Sequence, residues 1–107
     1  MSLLKPSEYL IRVKDKVATP DKWFHGKTST ISWTQARRQG KTCIGVAIED
    51  VTKSENMQTK LRGLIKNFVP YNNIVDWNDA FKTTHPEVLK VLDQAIALAK
   101  KREERWI

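Results

Sequence analysis

The chain has 107 residues and carries 19 Lys and Arg against 12 Asp and Glu, a net charge of +7. A chain of this length makes a single domain over residues 1–107 and buries roughly 65% of its unfolded surface, which leaves little room for a deep cofactor cavity beside a complete core. The lone cysteine, Cys43, excludes an internal disulfide and a Cys-rich zinc site, and no apolar run approaches the ~18 residues of a membrane span.

The segment Met1–Pro6 lacks the long apolar core of a secretory signal, so a cytoplasmic setting is expected. Charge is uneven along the chain. Residues 1–42 hold nine Lys and Arg against three acids, whereas the acids and bases of residues 43–107 nearly balance. That asymmetry favours an anionic partner, although a basic surface also serves solubility.

The hydropathy pattern predicts a mainly α fold, a bundle of about four helices. Pro6 suits a first helical turn, and Leu10, Val13 and Val17 follow at helical spacing, so the first helix is expected over roughly 6–18. Thr19-Pro20 stops it, because a residue before proline is pushed out of the α region. Residues 20–41 read as an irregular segment or short hairpin, with Trp23 and Phe24 in a turn and Thr28, Thr30, Ile31 and Trp33 as β-formers. Within it, Thr34–Gln39 fits one or two helical turns ended by Gly40.

A second helix is expected over 42–52, placing Cys43, Ile44, Ala47, Ile48 and Val51 on one face. Ser54 is a good N-cap for a third, 54–68, whose stripe is Met57, Leu61, Leu64, Ile65 and Phe68 and whose interior holds Gly63. Tyr71–Thr83 reads as an irregular connection pinned by Ile74 and Trp77. Thr84 and Glu87 have capping-box spacing, and Val88, Leu89, Leu92, Ala95, Ile96 and Ala99 predict a last helix over 84–104.

No motif in the sequence specifies catalysis. Gly26-Lys27-Thr28 and Gly40-Lys41-Thr42 end like a phosphate-binding loop, but the glycine needed five positions upstream is replaced by Asp21 and Gln35. Asp76, Asn78 and Asp79 begin like a calcium loop, yet its sixth position is Phe81 where glycine is needed. His25, His85 and Cys43 show no metal-ligand spacing, so neither a metal nor a cofactor is expected. An enzyme would have to use a pocket near Asp76, Asp79 and His85.

The basic, aromatic segment 22–42 carries the main binding candidates: Lys22, Lys27, Trp33, Arg37, Arg38 and Lys41. Aromatic faces stack on unpaired bases while Lys and Arg hold phosphates. The competing account makes the tryptophans core residues beneath a solvated loop. A second candidate is the corner Trp77-Asn78-Asp79, which serves either as a ligand-facing site or as turn structure.

The pattern Ile74-Val75-Asp76-Trp77-Asn78-Asp79, then Glu87-Val88-Leu89, then the alanine-rich stretch Asp93–Ala99, resembles an uncharacterised family of small helical bacterial and phage proteins. Trp23 and Cys43-Ile44-Gly45-Val46-Ala47 resemble its upstream segments, with Val46 intervening before Ala47. The resemblance implies a compact helical fold and a phage or mobile-element setting, and no activity. Together these readings favour a non-enzymatic interaction or accessory domain with a protein or nucleic-acid partner and no membrane, as a monomer or homodimer.

Overall fold

The structure, a computed structural model, describes residues 4–25, 32–70, 73–79 and 83–104, without the side chains of Trp33 and Val75. Six helices follow one another among them: α1 Pro6–Lys16, α2 Trp33–Arg38, α3 Ile44–Val51, α4 Glu55–Lys66, α5 Ile74–Asp79 and α6 His85–Glu104. The mainly α bundle expected from the hydropathy pattern is present, and its four long helices are α1, α3, α4 and α6.

Two short helices complete the outline. α2 agrees with the helical turns expected at Thr34–Gln39, whereas α5 corrects the reading of Tyr71–Thr83 as an irregular connection. The expected helix over 42–52 begins two residues later, at Ile44. Thr42 instead forms an isolated parallel bridge with Trp23, and Cys43 is the half-buried N-cap of α3, not part of its core face. Of the β-formers, Thr28, Thr30 and Ile31 lie outside the described residues, as does Lys27.

Local chemistry explains the helix starts. Pro6 opens α1, and the Glu8 carboxylate accepts from the Lys5 backbone N–H at 3.2 Å. Ser32 and Gln35 cap α2 reciprocally, the Gln35 N–H donating to Ser32 Oγ and the Ser32 N–H to Gln35 Oε1. Ser54 Oγ accepts from the Met57 N–H at 3.2 Å, as the sequence predicts.

One hydrophobic core joins the long helices. Leu10, Val13 and Val17 meet Ile44, Ala47 and Ile48 of α3, Leu61, Leu64 and Ile65 of α4, and Val88, Leu92 and Ala95 of α6. α1 pairs most extensively with α6 and also packs on α3 and α4, while α5 rests on α3 and α4 and adds Ile74 and Trp77 to the core. Ala36 of α2 is fully buried.

A basic cleft as candidate nucleic-acid interface

The cleft begins with the turn that follows α1. Val17 caps α1, and the N–H of Lys22 then donates to the Thr19 carbonyl at 3.0 Å. This reversal brings the turn alongside the strand-like residues that lead into α3. There the Thr42 N–H donates to the Lys22 carbonyl at 2.8 Å and the Phe24 N–H to the Thr42 carbonyl at 3.0 Å. Lys41 Nζ donates to the Asp21 carbonyl at 2.8 Å, a third tie across the same gap.

Gly40 shapes the other wall. Its φ of +78° lies in the left-handed region that favours glycine, and it ends α2 as the sequence predicts. The Lys41 N–H returns to the Ala36 carbonyl at 2.9 Å, which closes the turn and sets Arg37 and Lys41 on the same side.

Lys16, Lys22, Arg37 and Lys41 line the resulting cleft of about 320 Å³. Asp50 of α3 is the one acid among its lining residues, and Gly40 and Thr42 complete it. Three of the cations expected from the basic segment thus share one site. Arg38 is exposed on α2 outside the lining; Lys27 and the Trp33 side chain fall outside what the structure describes. Sequence reasoning missed Lys16, whose only signal was its share in the excess charge of residues 1–42.

Beneath the cleft wall lies the Trp77-Asn78-Asp79 corner. Trp77 is a core residue, 2% exposed, and Asn78 is completely buried. Asn78 Oδ1 accepts from Trp23 Nε1 at 2.7 Å and from the Ile44 N–H at 3.3 Å, while its Nδ2 donates to the Phe24 carbonyl and to Asp79 Oδ1, each at 3.0 Å. All four hydrogen-bonding positions of the amide are used. Asn78 therefore bolts the 23–24 turn to the start of α3 and to α5, and has no donor or acceptor left for a ligand.

The residues considered for catalysis serve different neighbours. His85 Nε2 lies 2.7 Å from the Val17 carbonyl, which only accepts, so the proton sits on Nε2. The Trp23 ring neighbours both imidazoles, with centroids 5.1 Å from His25 and 5.9 Å from His85. Asp76 is exposed, whereas Asp79 lines a separate hollow of about 360 Å³ with Cys43 and Phe24. Burial pushes the Cys43 thiol above its ordinary value of 9.0, and the Asp79 carboxylate pushes it further in the same direction. Among the described residues, no group of three or more His, Cys, Asp or Glu is placed to hold a metal ion. No helix among them is long and apolar enough to cross a membrane.

A family model described as a family of unknown function (DUF6197) matches residues 1–98, and the chain belongs to that family. Neither a curated protein nor a solved structure matches it.

Proposed function

We propose that this member of DUF6197 is a non-enzymatic accessory domain that binds nucleic acid through the cleft between α1, α2 and the 20–23 turn. One observation carries the reading: Lys16, Lys22, Arg37 and Lys41, drawn from separate segments, line a single cleft beside one acid. Phosphates bound there release condensed counterions, so affinity is expected to fall steeply with salt. Arg38, exposed on the same short helix, is proposed to contribute to binding, and the sequence candidates Lys27 and Trp33 remain part of the proposal though they lie outside the described residues and side chains.

The Ile-x-x-Trp-Asn-Asp pattern is proposed as a structural signature of the fold, since Ile74 and Trp77 are core residues and Asn78 is saturated by internal bonds. A bacterial or phage origin, a cytoplasmic setting and a monomeric or homodimeric state belong to the same proposal.

The test is tryptophan fluorescence during titration with single- and double-stranded oligonucleotides at low and moderate salt. Trp23 adjoins the cleft residue Lys22 and serves as a reporter. Saturable binding that weakens steeply with salt supports the reading; no binding at low salt, where attraction is strongest, sinks it.

A protein partner is the second reading. It is favoured by a hollow of about 590 Å³ between α1, α4 and α6, where Pro6, Leu64 and Ala99 are edged by Lys5, Lys60, Arg102 and Glu103.

A further inference from the structure

We infer that the cleft seats a terminal phosphomonoester of a nucleic-acid strand in preference to the diesters along it, an inference that rests on the nucleic-acid reading above. Charge is the first argument. Four cations and one carboxylate give the lining a formal charge of +3. An internal diester brings a single negative charge, whereas a monoester brings about −1.5 to −2 at neutral pH and three acceptor oxygens.

Shape is the second. Lining residues come from α1, the 20–23 turn, the α2–Gly40 turn and α3, four segments that border one open cleft of about 320 Å³. That is the scale of a small-ligand site.

Rigidity is the third. The Thr42 N–H to Lys22 carbonyl bond and the Lys41 Nζ to Asp21 carbonyl bond tie the two walls together. These ties fix the backbone from which the Lys22 and Lys41 side chains spring and the position of the Lys41 ammonium at the cleft. Lys41 keeps further ammonium protons beyond the one given to Asp21, and the planar fork of Arg37 matches two oxygens of one phosphate.

The experiment compares one short single strand in three forms: with a 5′-phosphate, with a 3′-phosphate, and with hydroxyls at both ends. Binding is read by anisotropy of an internal label at low salt, and inorganic phosphate serves as competitor. One phosphorylated form is expected to bind about tenfold tighter than the hydroxyl form, the value of one added charge-assisted contact. The preferred end then identifies the strand polarity. Arg37→Ala and Lys22→Ala should abolish the preference with helix content unchanged, since both side chains are exposed. Asp50→Asn should strengthen it by removing the one lining anion. Equal affinity for all three forms, or failure of inorganic phosphate to compete, would overturn the inference and leave the nucleic-acid reading standing. Binding of none of them would overturn both.

Discussion

Asn78 is the residue on which the order of the cleft wall depends. Truncating it to alanine removes the partner of the Trp23 indole N–H and of the Ile44 N–H, takes one donor from the Phe24 carbonyl, and opens a cavity in their midst. Each buried group left unpaired costs about 1–3 kcal/mol, so Asn78→Ala is expected to lower stability by about 3 kcal/mol in urea titration. Asn78→Asp has nearly the same shape but offers no N–H to the Phe24 carbonyl and places a second carboxylate against Asp79, so it should do no better. A ligand-facing role would predict the opposite: loss of binding at unchanged stability.

Cys43 gives a second test at the same scale. Its thiol pKa lies above 9.0, with burial as the main cause and the Asp79 carboxylate adding to it. The thiolate is the reactive form, so iodoacetamide should label the folded protein more slowly than the unfolded chain at neutral pH, with a rate still rising beyond pH 9.0. Folding holds the proton more tightly here. The associated stability is therefore present below the unfolded value and is lost as pH rises through the folded one. Asp79→Asn removes the carboxylate's share and should speed labelling.

At the scale of elements, two glycines in helical surroundings should respond in opposite directions. Gly63 is exposed inside α4, and a Cβ added there meets nothing within 4 Å. Gly63→Ala is expected to raise stability by about 0.5–1 kcal/mol, because alanine loses less backbone freedom on folding. Gly40 has the same open space but a φ of +78°, where a side chain is strained regardless of room. Gly40→Ala should cost about 1 kcal/mol and should also weaken oligonucleotide binding, since this turn sets Arg37 and Lys41 into the cleft. Thermal melts of the two variants separate these effects.

The elements also show what a sequence reveals. The stripe from Val88 to Ala99 and the Ser54 cap made α6 and α4 legible, because periodicity and capping are local signals. α5 carried no such signal. Its six residues are β-branched, aromatic or Asx types with modest helix propensity, and burial of Ile74 and Trp77 against the bundle holds them helical. The role of Asn78 was illegible for a related reason: Trp23, Phe24 and Ile44 lie 34 to 55 residues away along the chain. The basic segment was visible as composition, yet Lys16 joins it only because the turn after α1 folds back.

At the scale of the whole molecule, the question is whether binding reads a built site or merely a net charge of +7. A diffuse positive field treats all surface cations alike, because long-range attraction depends on total charge and is screened within about 8 Å at physiological salt. A cleft does not. Removing one cation that touches phosphate should reduce the slope of log affinity against log salt by about 0.7 for a single strand, and removing a distant one should leave it unchanged. Lys22 and Arg37 supply the first kind of substitution, while Lys100 and Lys101, exposed near the end of α6 and absent from the cleft lining, supply the second at equal charge. Alanine variants of each, titrated across a salt series, should therefore divide into two groups although every one carries the same net charge. Equal loss in all four would mean that the field alone drives association, and the convergence of side chains around Gly40 would then have no part in it.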